Sequence, residues 1–174
     1  MTSDPRCEPI RLILSDVDGV LTDGGVIFDN QGIETKRFFI RDGMGIKLWQ
    51  QAGYRFGIVT GRSSHIVQLR AAELNIDLVR QGMSEKTAAV EEILRQLSLD
   101  WNQLCYIGDD LPDLPVIRRA GLGVAVADAA AEVRERAGYV TSAVGGAGAV
   151  RELVEMILKE QRRWDDLIQR YLGD

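Results

Sequence analysis

Two carboxylates stand at the end of an apolar run in Ile13-Leu14-Ser15-Asp16-Val17-Asp18-Gly19-Val20-Leu21-Thr22. Residues two apart in extended chain project to the same side, so Asp16 and Asp18 face one reaction centre, and Gly19 lets the chain turn away beyond them. One carboxylate can attack while the other handles a proton. Two such charges at about 4 Å repel by roughly 4 kcal/mol at an effective dielectric near 20, so a buried pair calls for a cation or a shared proton. A second acid cluster follows another apolar run, Tyr106-Ile107-Gly108-Asp109-Asp110-Leu111-Pro112-Asp113. If the two runs are adjacent parallel strands, their carboxyl ends bring Asp109 and Asp113 towards Asp16 and Asp18. That is an all-oxygen site, suited to Mg²⁺ keeping several waters and a substrate phosphate. A lone Asp-Asp pair reads as a helix cap or a solvated turn; two acid clusters, each at the exit of an apolar strand, read as a site.

Two further signals fit a phosphate. In Gly57-Ile58-Val59-Thr60-Gly61-Arg62-Ser63-Ser64 a strand ends in hydroxyls before a helix, so Thr60 can bond a phosphoryl oxygen with the Gly61 and Arg62 amides at or near the helix N-terminus. Lys86 opens a helix, where a cation is unfavourable by about 0.3–1 kcal/mol, so its place invites a specific anionic partner.

The elements that must position these groups alternate in type. Apolar runs at 10–16, 55–60, 77–80, 104–108, 123–126 and 139–140 read as strands, and 43–52, 64–74, 85–97, 111–120 and 129–137 read as helices. Strands alternating with helices over short connections predict an α/β fold, a Rossmann-like, doubly wound, mostly parallel sheet whose chemistry lies at the carboxyl ends of its strands. Residues 1–174 read as a single domain with two segments outside this rhythm. Residues 24–40 hold two β-prone pieces around Asp29-Asn30-Gln31-Gly32 and predict a β-hairpin flap. Residues 148–172 carry an apolar stripe from Val150 to Tyr171 that predicts one C-terminal helix of about 20 residues. The Val144-Gly145-Gly146-Ala147-Gly148 stretch before it reads as a flexible connector or helix lead-in, without dinucleotide-binding spacing.

Composition removes several classes of function. The net charge of −5 argues against nucleic acid as a partner. A single His, His65, and two Cys leave too few soft ligands for a structural zinc. Cys7 falls in a polar N-terminal arm and Cys105 in an apolar strand, which suits a reduced compartment. The first residues lack the apolar run of a secretory signal or a membrane span, so the expectation is a cytoplasmic protein with no membrane partner.

Taken in order, DxDGVLT at Asp16, TGR at Thr60, the helix-start Lys86 and GDDLPD at Asp109 resemble the four motifs of the haloacid dehalogenase superfamily of phosphatases, over nearly the whole chain. The DxDGVLTDG start, the hairpin, the RDGMGI segment and the GGxGAVRE tail are more closely similar to its small-capped subfamily that includes the 3-deoxy-D-manno-octulosonate 8-phosphate phosphatases. The resemblance implies Asp16 as the nucleophile that becomes an aspartyl-phosphate and Asp18 as the acid and then the base. It implies Thr60 and Lys86 on the phosphoryl group, with Mg²⁺ held by Asp16, the Asp18 carbonyl and Asp109, and Asp113 beside them. It also implies contacts to substrate from Asp18, Lys86, Phe39, Ile40, Arg41, Asp42, Gly43, Lys47, Arg62 and Arg70. A homotetramer, a small phosphorylated sugar acid as substrate and a place in lipopolysaccharide synthesis follow from the same resemblance. Two departures bear on the sugar. Phe39 stands where the octulosonate phosphatases often have Asn, and Ala147 where their tail often has Arg. A nine-carbon ulosonate 9-phosphate is therefore the alternative substrate, and a non-catalytic oligomerisation module of a sugar-acid cytidylyltransferase the alternative class. A phosphorelay receiver fits less well, because its acceptor Asp follows the third strand.

Overall fold

The computed structural model describes residues 4–173, so residues 1–3 and 174 of the expected domain lie outside it. A six-stranded parallel sheet carries the fold. Its strands are β1 (Leu12–Ser15), β4 (Arg55–Val59), β5 (Leu78–Arg80), β6 (Leu104–Gly108), β7 (Leu122–Ala125) and β8 (Tyr139–Val140), with β2 (Ile27–Phe28) and β3 (Glu34–Thr35) paired separately as an antiparallel ribbon. The order β5-β4-β1-β6-β7-β8 places the first strand in the middle. The chain winds outward from β1 on one side and returns to build the other, so a crevice opens where the carboxyl ends of β1 and β6 diverge, the usual ligand position in such sheets. Strand β1 is fully buried, as a central parallel strand covered on both faces must be.

The helices that flank the sheet are α1 (Ile40–Gln51), α2 (His65–Glu73), α3 (Lys86–Leu97), the single turns α4 (Leu114–Ile117) and α5 (Ala131–Arg134), α6 (Ala149–Glu160) and α7 (Trp164–Leu172). Helix α1 packs on α6. Trp49 is fully buried between them and the sheet, and its indole N–H donates to the Arg55 carbonyl at 2.7 Å.

Five readings need correction. The helix expected at 111–120 is a tight 3-10 turn over Leu111–Asp113 followed by the one turn of α4, because Pro115 has no amide for the Leu111 carbonyl, which takes the Leu114 amide instead. The expected single C-terminal helix is two, α6 and α7, broken at Arg162, whose φ is 55°. Between Leu158 and Trp164 the stripe skips a turn, and Gln161 instead turns its side-chain amide to the Cys7 and Ile10 carbonyls at 2.8 and 3.0 Å. The flap ends at Phe39, since Ile40 already belongs to α1. The 144–148 stretch leads into α6 as expected but is docked: the Gly146 amide donates to the Val20 carbonyl at 2.8 Å and the Gly145 amide to Asp128 Oδ1 at 2.9 Å. Cys7 also departs from expectation, being fully buried rather than part of a polar arm.

Candidate active site

Asp16 follows β1 directly, and its amide donates to the Ile107 carbonyl of β6 at 3.0 Å, which sets the start of one acid loop against the end of the other. Gly19 then turns with φ +84°, and a Cβ there would lie 2.1 Å from Asp109 Oδ2. Glycine is therefore required twice over, for the left-handed backbone and for the close seat of Asp109. Gly108 serves the second loop in the same way, since a Cβ would strike Asp113 Cγ at 2.4 Å. The result is a cleft of about 320 Å³ whose walls include Asp16, Asp18, Thr60, Arg62, Lys86 and Asp109. A larger hollow of about 600 Å³ lies at the amino-terminal edge of the sheet around Tyr54 and Asn75, away from these acids.

Inside the cleft, Asp16 Oδ1 accepts the Val17 amide at 2.7 Å and Oδ2 lies 2.7 Å from Lys86 Nζ. Lys86 is the first residue of α3, where the helix dipole opposes a cation; two carboxylates compensate, because its Nζ also donates to Asp113 Oδ1 at 2.6 Å. Burial alone would lower the Lys86 pKa, yet the charges of Asp113 and Asp16 carry it above the ordinary lysine value. Thr60 is buried at the end of β4, its amide bonded to the Arg80 carbonyl at 2.9 Å. The neighbouring Gly61 and Arg62 precede the first turn of α2 by three residues or more, so these amides belong to a loop rather than to the helix terminus.

Asp16, Asp109 and Asp113 bring carboxylate oxygens within 4.8 Å of one another. Their roles separate by hydrogen bonding. Asp113 is committed on both oxygens: Oδ1 to Lys86 and to the Tyr106 hydroxyl at 2.7 Å, Oδ2 to the Asp109 and Asp110 amides at 3.1 and 3.3 Å. It braces Lys86 and the second acid loop while remaining within reach of the other two carboxylates. Burial, then the charges of Asp113 and Asp16, push Asp109 up to about 7. Burial and the charge of Asp113 also raise Asp16, against the pull of Lys86. With all three carboxylates ionised, one ammonium leaves two negative charges uncompensated, which is the excess a hard divalent cation would remove.

This arrangement makes a prediction for the metal-free protein. Asp109 titrates near 7 when folded but near 3.9 when unfolded. The folded state therefore binds more protons between these values, and stability falls as pH rises from about 4 through 7. Mg²⁺ should reverse this, raising Tm by about 5–10 °C at pH 8 at roughly a hundred times its Kd there, and by less at pH 6 at the same concentration, because protons compete for Asp109. Thermal melts of wild type and Asp109→Asn with and without Mg²⁺ check it; an equal Mg²⁺ gain in the variant would count against this site.

Sequence reasoning missed part of the site. Lys36, from the hairpin, buries its side chain and contacts Asp18 Oδ1, with Glu34 Oε1 3.2 Å away. Glu34 accepts from Arg62 Nη2 at 2.7 Å and from Ser64 Oγ at 2.6 Å, and the Ser64 bond chiefly holds its carboxyl below the usual range. The available signal was the Glu34-Thr35-Lys36 alternation, which puts both charges on one side of a strand. Tyr106, hidden in an apolar run, gave no such signal.

The expected sugar contacts divide. Arg62 lines the cleft. Asp42 is buried, its Oδ1 accepting the Arg151 amide at 2.8 Å at the start of α6. Gly43 packs against Arg70, whose Nη1 donates to Glu73 at 2.7 Å, and Asp42, Gly43, Arg70 and Phe39 line a small hollow separate from the cleft. Asp42 Oδ1 thus joins α1 to α6, and Gly43 lets α1 approach Arg70 of α2. Ile40, Arg41 and Lys47 are exposed on α1, outside the cleft walls.

Residues 69–153 match the model for haloacid dehalogenase-like hydrolases. The chain is 43% identical over 161 residues to the Escherichia coli (strain K12) 3-deoxy-D-manno-octulosonate 8-phosphate phosphatase KdsC, covering 92% of this chain and 86% of that protein. It superposes with TM-score 0.94 and 41% identity on the Moraxella catarrhalis 3-deoxy-D-manno-octulosonate 8-phosphate phosphatase in complex with magnesium, phosphate and KDO, over 95% of each chain. The cobalt-bound Haemophilus influenzae deoxy-D-mannose-octulosonate 8-phosphate phosphatase gives TM-score 0.91 and 39% identity over 97% of this chain and 99% of that one.

Proposed function

The chain belongs to the haloacid dehalogenase-like hydrolases, and from that premise we propose that it is a Mg²⁺-dependent phosphatase converting 3-deoxy-D-manno-octulosonate 8-phosphate to the free sugar acid and phosphate. The observation that carries this is the buried excess of negative charge where β1 and β6 diverge, with Asp16 seated against Lys86 at 2.7 Å. Asp16 attacks phosphorus, and the bond to the sugar oxygen breaks as Asp18 gives that oxygen a proton. Asp18 then takes a proton from water, which hydrolyses the aspartyl-phosphate and restores Asp16. Lys86 and Thr60 hold the phosphoryl oxygens, since phosphoryl transfer depends mainly on positioning and charge neutralisation. Asp16, Asp109 and the Asp18 carbonyl would hold Mg²⁺, which when bound neutralises charge on the phosphoryl oxygens. Splitting the reaction through a covalent intermediate divides a barrier that is very high in water.

A panel of sugar phosphates ranked by kcat/KM tests the substrate. The eight-carbon acid 8-phosphate should exceed the nine-carbon 9-phosphate by about 10-fold or more, and both should exceed hexose phosphates. A hexose phosphate at the top of the ranking would reject the sugar-acid assignment. Absence of phosphate release from every compound would favour the non-catalytic module.

The oligomer is part of the same proposal. Val26, Ile27, Phe28 and Ile33 expose more than half their surface on the hairpin, an apolar cluster that a homotetramer would cover. Light scattering should give four times the chain mass of 19.3 kDa, and a monomer at micromolar concentration would contradict it. No helix among the described residues is long and apolar enough to cross a membrane, and a cytoplasmic location is consistent with a small polar substrate.

A further inference from the structure

The hairpin reaches past the cleft wall to the side chain proposed to move the proton. Lys36 lies one residue beyond β3, and its side chain is only 1% exposed. Its Nζ bridges Asp18 Oδ1 and Glu34 Oε1. Glu34 is itself fixed from the other side by Arg62 and Ser64, on the loop that follows β4. Arg62 Nε completes the ring, 3.9 Å from Asp18 Oδ2. Three segments far apart in sequence thus meet on one carboxylate, and they hold its two oxygens differently: Oδ1 is bonded to the hairpin, while Oδ2 has only the longer Arg62 contact.

A lysine side chain has four rotatable bonds, and ordering it carries an entropic cost. Burying its ammonium without partners would cost more, so the paired carboxylates are what hold it in place. The two ribbon strands are only two residues each, too short to define a stable hairpin by pairing alone. The ionic ring is therefore what ties the hairpin to the reaction centre.

We propose that Lys36 is a positioning residue: it pins Asp18 Oδ1 and thereby aims Oδ2 at the leaving-group oxygen and later at water, with Glu34 as the anchor that fixes Lys36. This rests on the reading of Asp18 as the acid and base. No group beyond those present is needed, since the proton passes from Asp18 to the sugar oxygen and returns from water.

The test compares two phosphates by kcat/KM, which reports steps up to the first loss of the leaving group. An aryl phosphate leaves as a stabilised phenolate and needs little protonation, whereas a simple alkyl phosphate without sugar hydroxyls or a carboxylate needs it fully. The alkyl-to-aryl ratio therefore measures the acid alone, and a loosened fold or weaker phosphate binding moves both numbers together. Asp18→Asn should lower the ratio by ~10²–10⁴-fold. Lys36→Met should lower it by ~10-fold or more, with partial recovery in Lys36→Arg, and Glu34→Gln should shift it in the same direction. If Lys36→Met does not fold, Glu34→Gln decides, because it keeps the shape of the anchor. An unchanged ratio in the Lys36 and Glu34 variants, with a lowered ratio in Asp18→Asn, overturns the positioning role alone. An unchanged ratio in Asp18→Asn overturns the acid–base reading and the positioning role with it.

Discussion

Asp16→Asn should reduce turnover by on the order of 10⁵-fold, because an amide cannot form the acyl-phosphate bond and the remaining groups supply only binding and charge stabilisation. The fold should survive. The replacement conserves volume, its carbonyl oxygen still accepts from Lys86, and it removes one of the carboxylates whose burial and mutual repulsion raise the Asp16 pKa. Stability should therefore change by no more than about 1 kcal/mol, since breaking the pair and relieving the crowded charge act in opposite directions. Stopped-time phosphate release by the pure variant, alongside its thermal melt, separates the two effects. Turnover within a hundredfold of wild type would remove Asp16 from the nucleophile's role. A collapsed melt would show instead that the carboxylate is needed to hold β1 against β6.

Lys86→Met should be severe on both counts. The ammonium compensates two buried carboxylates at 2.7 and 2.6 Å, and removing one partner of a buried ion pair typically costs about 3–5 kcal/mol. For a chain of this length that corresponds to a fall in Tm of roughly 6–20 °C. Activity should fall by about 10³-fold, as for loss of a charged group aimed at the transition state. The double variant Lys86→Met/Asp113→Asn discriminates between the two roles. Neutralising Asp113 removes the orphaned charge, so several degrees of Tm should return while activity does not. Recovery of activity together with stability would mean that Lys86 acts only as a counter-ion for the acid loop. The pH dependence has a definite sign. Lys86 titrates higher when folded than when unfolded, so its contribution is complete below the ordinary lysine value near 10.4 and is lost only as pH rises through the folded one. Between pH 5 and 9 the difference in Tm between wild type and variant should therefore not come from Lys86 deprotonation. A melt difference that vanished at neutral pH would contradict this.

Much of the site was legible because it is built from strand exits. Asp16, Thr60 and Asp109 each end an apolar run, and in a parallel sheet all such ends share one edge. The short period of a strand made the Asp16–Asp18 pairing readable, and the penalty for a cation at a helix start made Lys86 stand out. The hairpin's turn residues were equally plain. Helix ends were harder, as shown by the stripe that seemed to continue through Arg162. A six-residue gap between Leu158 and Trp164 is compatible with one helix until Gln161 finds the Cys7 and Ile10 carbonyls, and those are more than 150 positions away in the chain.

The division between the two kinds of information follows distance along the chain. The amino-acid sequence by itself determined the alternating α/β order, the strand-end aspartates and the chemistry that oxygen ligands, one lysine and one threonine can perform, because each depends on neighbours within a few residues. Only the tertiary structure decided that Asp113 bonds Lys86 and the acid-loop amides, that Asp42 joins α1 to α6, and that Lys36, held by Glu34, reaches Asp18. Those roles depend on which donor is nearest in space. A carboxylate carries no mark in the sequence of whether its lone pairs will meet an amide, an ammonium or a metal.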